Sequence, residues 1–163
     1  MYGTHSQAVA GWATGLSHPV VMGILNVTPD SFSDGGHYAS RDSAVARALE
    51  MIAEGVAIID IGGESSRPGA DPVDTAEEIR SVVPVIEAIR KRSDIPISID
   101  SYKAATARAA LDAGADIVND ISALRIDAEM AELVEATKAP LVLMHMLGDP
   151  RAMQQNPHYD DSV

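Results

Sequence analysis

The residues best suited to chemistry stand where short apolar segments end. Asn26, Asp60, Asp100, Asn119 and His145 each lie at or near the end of such a segment. Their carboxylate, amide and imidazole groups could exchange hydrogen bonds with a polar ligand. A buried polar group left unpaired costs roughly 1–3 kcal/mol, so five in register favour a binding site. His145, alone between two methionines, is more typical of a structural histidine.

Two stretches rich in small polar and turn-forming residues follow the first two of these segments. Residues 22–36 begin as a strand and become a loop after Asn26. Phe32, the chain's single Phe, lies within that polar run, which predicts a lid or stacking contact over a ligand. The second stretch, residues 62–69, reads Gly-Gly-Glu-Ser-Ser-Arg-Pro-Gly.

The rest of the chain alternates between strand and helix patterns. Residues 1–18 show no strong periodicity and are predicted to be a preamble to a domain spanning residues 19–163. A helix capped by Asp42 should end at Gly55, and Pro84 should kink the next helix. The full prediction places strands at 20–25, 56–61, 95–99, 116–121 and 141–146, and the other helices at 74–92, 103–113 and 128–137.

This alternation predicts an α/β fold with a parallel sheet and right-handed crossovers. A doubly wound sheet and a (β/α)8 TIM-barrel type both fit it. The barrel is favoured because no Gly-x-Gly-x-x-Gly follows the first strand and because the polar residues collect at strand ends. We therefore expect about five parallel strands and four crossover helices of such a barrel. Asp100 and Ser98 should point inward, with Ile97 and Ile99 facing the helices.

Composition narrows the class of protein. The 163 residues are one domain's worth, and the formal net charge of -12 argues against a nucleic-acid partner. The absence of Cys excludes disulfide and thiolate chemistry and fits a reducing compartment. Neither a long apolar run nor a signal-peptide pattern is visible, so we expect a cytoplasmic protein without a membrane partner.

Several motifs together resemble the dihydropteroate synthase family. They are residues 22–36, 60–69 and 98–101, the pair Asn119-Asp120, and Met-His-Met at 144–146. The resemblance runs from about residue 18 onward. It implies a (β/α)8 barrel that joins 4-aminobenzoate to 6-hydroxymethyl-7,8-dihydropterin diphosphate, with release of diphosphate assisted by Mg2+.

The resemblance also implies roles for individual residues. Asn26 matches the residue that helps to hold Mg2+ and the diphosphate, as a weak oxygen ligand of a hard cation. Asp100 and Asn119 match the pair that binds the pterin, whose adjacent amino and ring N–H groups suit an ionised carboxylate. Asp60 is expected to support this substrate-binding pair.

The remaining implied roles lie on the two loops. Ser66 and Arg67 match a Thr-Arg pair close to the diphosphate and the aminobenzoate, with Ser in place of Thr. Asp30, Phe32 and Asp34 match a mobile first loop that closes over the diphosphate and helps to form the aminobenzoate pocket. Together with Arg67 they are the expected catalytic residues. Electrostatic stabilisation of the leaving diphosphate is then the main task, and no protein nucleophile is needed.

The chain departs from the family in length, since eight strands at this spacing need about 250 residues. The strands expected to carry a further Asp, a Lys, an Arg and a His are not in it. We therefore expect a fragment or truncated reading frame with little or no synthase activity alone, and sheet edges that favour a homodimer. Two alternatives stay open: a methyltetrahydrofolate methyltransferase-like domain, and a non-catalytic half-barrel that binds a pterin or a partner chain.

Overall fold

A computed structural model describes residues 19–27, 37–65, 71–145 and 158, with only the backbone described for 37–40. The predicted preamble at residues 1–18 therefore lies outside the described residues. The same holds for most of the first loop and for part of the second.

Strands and helices alternate as the sequence predicted. In chain order they are β1 (Met22–Asn26), α1 (His37–Glu54), β2 (Ile58–Gly62), α2 (Thr75–Arg90), β3 (Ile97–Asp100), α3 (Ala104–Asp112), β4 (Ile117–Asp120), α4 (Glu129–Thr137) and β5 (Leu141–Leu143). All neighbouring strands are parallel, in the order β1-β2-β3-β4-β5. The predicted five strands and four crossovers are confirmed. Over these ranges no helix has the length and apolar character needed to span a bilayer.

The start of α1 differs from the prediction. The helix begins at His37, so Asp42 lies inside its second turn and is not its cap. The Asp42 side chain is exposed and accepts hydrogen bonds from the guanidinium of Arg41, at 3.1 and 3.3 Å. An aspartate that faces solvent in this way is tolerated within a helix, so a residue able to cap need not be the cap.

The start of α2 agrees with the prediction. The side chain of Asp74 accepts a hydrogen bond of 2.9 Å from the backbone N–H of Ala76, which satisfies one of the unpaired donors of the first turn. The helix continues through Pro84 to Arg90. Its buried apolar residues are Val82, Val85, Ile86 and Ile89, spaced so that one face packs on the sheet.

One face of the sheet carries the main core. A row across the strands joins Leu25, Ile61, Ile99, Val118 and Leu141. Four of these side chains are buried and Leu141 is partly buried, packed with buried residues of all four helices. Ile97, in the row below, belongs to the same core. The predicted orientation of Ile97 and Ile99 toward the helices is therefore confirmed.

The opposite face is layered from apolar to polar along the strands. At its lower end Met22 packs on Ile58 and Ile117. Higher up, Ile24 is 67% exposed and Val142 is 42% exposed. Since side chains alternate between faces, this face also receives the polar residues at the carboxyl ends of the strands.

The amino end of the sheet is held by a guanidinium. Arg90 donates to Asp116 Oδ2 at 2.6 Å and, through two of its nitrogens, to the carbonyl of Gly114 at 2.7 and 3.0 Å. It also donates to the carbonyls of Ser93 and Ile95. The arginine thus ties the end of α2 to the connection that enters β4, at the end of the sheet opposite the carboxyl ends of the strands.

Candidate functional site

A row of residues crosses the sheet near the carboxyl ends of the strands. Register pairs Asn26 with Gly62, Gly62 with Asp100, Asp100 with Asn119, and Asn119 with Val142. Three of the residues singled out from the sequence therefore stand side by side on one face. We call Asn26, Gly62, Asp100 and Asn119 the polar row.

The expectation of five polar residues in one register is wrong at two positions. Asp60 pairs with Ile24 and Ser98, so it lies one layer below the polar row. His145 lies two residues beyond the end of β5, which contributes the apolar Val142 at that level. How far a residue lies along the sheet depends on the offset between neighbouring strands. The pattern of apolar residues within one strand contains no information about that offset.

Gly62 keeps the space between two polar side chains open. A Cβ built on Gly62 would lie 3.4 Å from Asp100 Oδ2 and 3.7 Å from Asn26 Oδ1. Both oxygens therefore border the volume that a side chain at this position would occupy. Sequence reasoning assigned no role to Gly62, although a glycine ending a buried strand is a recognised sign of close approach by a ligand or backbone.

Below the polar row, Asp60 holds the amide of Asn119. Asn119 Nδ2 donates to Asp60 Oδ2 at 3.1 Å. The second oxygen of Asp60 and the hydroxyl of Ser98 are buried, and neither makes a hydrogen bond within the described part of the chain. Because a carboxylate accepts and does not donate, Asp60 fixes which end of the Asn119 amide points down. The carbonyl oxygen of Asn119 is left for a ligand that donates.

Burial raises the pKa values of both carboxyl groups at this site. Burial is the largest influence on the pKa of Asp60 and raises it. The Ser98 hydroxyl and the Asn119 amide lower that pKa and so partly oppose the effect of burial, although the Ser98 hydroxyl lies outside hydrogen-bond geometry. Burial raises the pKa of Asp100 to about 7, with further contributions from the negative charges of Asp60, Glu78, Asp120 and Glu64. A ligand that presents N–H donors would favour the ionised form of Asp100.

The other sequence-predicted residues cannot be placed relative to this site. Asp30, Phe32 and Asp34 of the first loop lie outside the described residues. So do Ser66 and Arg67 of the second loop. Their assigned roles stay predictions.

The described residues fit a weakly held hard cation. No group of three or more His, Cys, Asp or Glu side chains in the described ranges is arranged to hold a metal ion. Mg2+ does not require one, since it commonly keeps several waters and binds through few protein oxygens together with substrate phosphates. The Oδ1 atom of Asn26 borders the same open volume as Asp100 Oδ2 and is an oxygen of the required kind.

The second loop leaves the sheet in close contact with α2. A Cβ built on Gly63 would lie 2.7 Å from Glu78 Cγ and 2.9 Å from Val82 Cγ1, both shorter than real Cβ contacts. Glu78 and Val82 are themselves buried. Only glycine therefore lets this loop start where it does.

We expect Gly63→Ala to lower the free energy of unfolding by about 1–3 kcal/mol, because the added methyl must displace two packed side chains. Gly62→Ala is the matched control, since its Cβ meets only ordinary contacts of 3.4 Å or longer and should leave stability nearly unchanged. Denaturant unfolding of both variants measures the difference. Equal losses in the two variants would contradict the close-packing argument.

Comparison with known proteins adds to this geometry. A family described as "Pterin binding enzyme" matches residues 22–163. The chain is 50% identical over 143 residues to a dihydropteroate synthase of Synechocystis, covering 88% of this chain and 50% of that protein. It thus spans about half the length of the curated relatives it matches.

Solved structures agree with the sequence comparison. A Xanthomonas albilineans dihydropteroate synthase with 4-aminobenzoic acid superposes with a TM-score of 0.78 at 48% identity, covering 89% of this chain and 50% of that one. A Burkholderia cenocepacia dihydropteroate synthase complexed with 7,8-dihydropteroate gives a TM-score of 0.75 at 48% identity, covering 90% of this chain and 48% of that one.

Proposed function

The chain belongs to the pterin binding enzyme family, and on that basis we propose that it acts as a dihydropteroate synthase. Its substrates would be 6-hydroxymethyl-7,8-dihydropterin diphosphate and 4-aminobenzoate, and its products 7,8-dihydropteroate and diphosphate. The observation that carries the proposal is the polar row, which brings Asn26, Asp100 and Asn119 together at the carboxyl ends of parallel strands. The relatives and structures it resembles are named dihydropteroate synthases.

The hydrogen-bonding capacity of the row suits a pterin. Ionised Asp100 accepts hydrogen bonds from the amino group and ring N–H that a pterin presents side by side. Asn119, with its nitrogen directed to Asp60 at 3.1 Å, offers an oxygen to a further donor and one remaining N–H to an acceptor. Gly62 leaves room for a flat ring system between Asp100 and Asn26.

We propose Mg2+ as the metal, with Asn26 Oδ1 as a protein ligand. When bound, Mg2+ would neutralise charge on the diphosphate as it leaves. The described residues bind and orient the pterin, and Asp100 stabilises positive charge that develops on the ring when the carbon–oxygen bond to diphosphate breaks. The amine of 4-aminobenzoate then forms a bond to the pterin carbon and releases one proton to solvent. Ser66, Arg67, Asp30, Phe32 and Asp34 keep their proposed roles around the diphosphate and the aminobenzoate.

Calorimetric titration of the 163-residue chain tests the proposal. We expect the pterin diphosphate to bind in the presence of Mg2+, more weakly without it, and 4-aminobenzoate to bind only after the pterin compound. Asp100→Asn should weaken pterin binding strongly, while Arg47→Met, at an exposed position, should not change it. Absence of pterin binding to the folded wild-type chain, or binding untouched by Asp100→Asn, would overturn the proposal.

Asp60→Asn should weaken pterin binding although Asp60 lies below the polar row. An amide at position 60 presents either an N–H group to the N–H of Asn119 or an oxygen without its charge. The orientation of Asn119 is then no longer fixed, and we expect a loss on the order of tenfold in pterin affinity. Asp60→Asn should at the same time keep or raise stability at pH 8, because it removes a buried carboxylate whose pKa burial raises. Titration calorimetry combined with thermal unfolding separates the two effects, and unchanged pterin affinity would refute the positioning role.

We further propose a cellular location and an oligomeric state for this protein. The charge of -12 and the absence of Cys support a cytoplasmic protein that does not bind nucleic acid. Within the described sheet, β1 and β5 each have one strand neighbour. Such edges support a homodimer as part of the proposal.

A further inference from the structure

A partly buried ammonium group stands beside the site and contacts three separate segments. Lys103 Nζ donates to Glu64 Oε2 at 2.6 Å, to the carbonyl of Val73 at 2.6 Å and to Glu78 Oε2 at 2.9 Å. These partners belong to the loop after β2, to the residues before α2, and to α2 itself. The three N–H donors of the ammonium are therefore all used.

Glu64 closes the same arrangement from the other side. Its Oε2 also accepts the backbone N–H of Val73 at 3.0 Å, and its Oε1 accepts the hydroxyl of Tyr102 at 2.7 Å. Lys103 and Glu64 together thus hold both backbone polar groups of Val73. The chain between Glu64 and Val73, which includes Ser66 and Arg67, is fixed at its two ends whatever its own conformation.

The arrangement places one ammonium group against two carboxyl groups, and most of the surface of all three side chains is shielded from solvent. Glu78 is 1% exposed and also accepts the hydroxyl of Thr106 at 3.1 Å, while its Oε1 has no partner within the described residues. Burial lowers the pKa of Lys103, but its hydrogen bonds to Glu64 and Glu78 outweigh that and raise it overall. Burial raises the pKa of Glu64, and the contacts with Lys103, Tyr102 and Val73 bring it below its ordinary value. Both shifts favour the ionised forms of Lys103 and Glu64 at neutral pH.

We propose that Lys103 is a positioning residue that ties the ends of the loop between β2 and α2 to the turn after β3, and so sets where that loop stands relative to Asp100. The geometry supports this because Tyr102 and Lys103 follow Asp100 by two and three positions. The end of β3 and the turn after it therefore carry both Asp100, which is proposed to bind the pterin, and the two residues that contact the neighbouring loop. The functional part of this inference rests on the proposed function, which assigns the diphosphate to Ser66 and Arg67.

Amide hydrogen exchange tests the anchoring independently of any ligand. In Lys103→Met, which keeps most of the apolar stem of the side chain and removes its ammonium group, the Val73 amide should exchange on the order of tenfold faster. The Ile97 amide, which donates to Asp116 at the other end of the sheet, should change much less. Arg47→Met, which removes an exposed ion pair, is the control and should alter neither.

Two outcomes would overturn the anchoring. Equal acceleration of the Val73 and Ile97 amides would mean that Lys103 contributes only to global stability. Unchanged exchange of the Val73 amide would mean that Lys103 does not restrain the backbone there. If Lys103→Met does not fold, Glu64→Gln replaces it, since that variant keeps the shape and weakens the same contacts, and the same comparison of the two amides decides.

Affinity for two ligands tests the functional part. The wild-type chain is titrated with 6-hydroxymethyl-7,8-dihydropterin and with its diphosphate, in the presence of Mg2+. Lys103→Met should weaken binding of the diphosphate compound by about tenfold more than binding of the bare pterin, because the proposed function assigns only the diphosphate to the loop that Lys103 anchors. Equal weakening of both ligands would refute the positioning role. Failure of the wild-type chain to bind either ligand would instead refute the proposed function and leave the exchange result standing.

Discussion

Asp100→Asn should make the unliganded chain more stable at pH 8 and, at the same time, unable to retain a pterin. In the folded chain the pKa of Asp100 is raised from 3.8 to about 7, first by burial and then by neighbouring carboxylates. The native state therefore holds this proton more tightly than the unfolded state does. Stability falls as pH rises from about 4 to about 7, and the loss stays in place above that range.

The pKa shift of Asp100 sets an upper limit on the free energy of unfolding that Asp100→Asn can gain. One step in pKa corresponds to about 1.4 kcal/mol, so the ceiling is about 4 kcal/mol. Asp100 is only half-buried, and screening reduces the effect, so we expect about 1–2 kcal/mol at pH 8 and almost none at pH 4. The loss of a charged acceptor for two N–H groups should weaken pterin binding on the order of a hundredfold.

Denaturant unfolding of wild type and variant at several pH values, with calorimetric titration of the pterin diphosphate, measures both effects. The difference between the two proteins isolates Asp100 from the other titrating groups. A variant that is less stable than wild type at pH 8, or equally stable at every pH, would contradict the burial argument. A group that costs stability and serves binding is what is expected of a site residue.

Arg90→Met should produce the largest loss of stability among these variants, about 3 kcal/mol, without a direct effect on the ligand. The change leaves Asp116, whose side chain is 5% exposed, without its 2.6 Å partner. It also removes the donors to three backbone carbonyls at the amino end of the sheet. The backbone N–H of Ile97 still reaches Asp116 at 2.9 Å, which limits the loss.

Arg47→Met is the matched control for Arg90→Met. Arg47 is 51% exposed and pairs with Glu50 and Glu54 on the surface of α1, a type of pair that contributes little to stability because solvent screens it. Chemical unfolding of the two variants compares a partly buried with an exposed guanidinium. Equal destabilisation would show that the Arg90 contacts carry no special weight. Loss of pterin affinity in folded Arg90→Met would show that the two ends of the sheet are coupled.

Most of the fold could be read from the chain because its signals are local. Apolar runs separated by helical spacing predicted the five strands and four helices, and Asp74 was correctly identified as the start of α2. The start of α1 was not, because an exposed aspartate such as Asp42 can cap a helix or lie within one. Strand ends were displaced by one to three residues for a similar reason, since the last ladder bond depends on the neighbouring strand.

The candidate site was predicted unevenly. Asn26, Asp100 and Asn119 were correctly expected to stand together, because their positions at strand ends suffice for that. Asp60 was expected beside them and lies one layer lower. Gly62, Gly63 and the anchors Glu64, Lys103 and Glu78 were given no role. Their partners are distant in sequence, as with Lys103 and Glu64, and no local pattern announces such contacts.

The chain by itself therefore determined the order of the strands and helices, the face on which apolar side chains are buried, and which residue types reach the carboxyl ends of the strands. These follow from backbone periodicity and from the hydrophobic effect, which act on neighbouring residues. Only the tertiary structure decided the register that sets Asp60 below Asn119, the open space at Gly62, and the partly buried ammonium that joins two loops. Those depend on the relative offset of strands and on packing between segments, and both are properties of the assembled sheet alone.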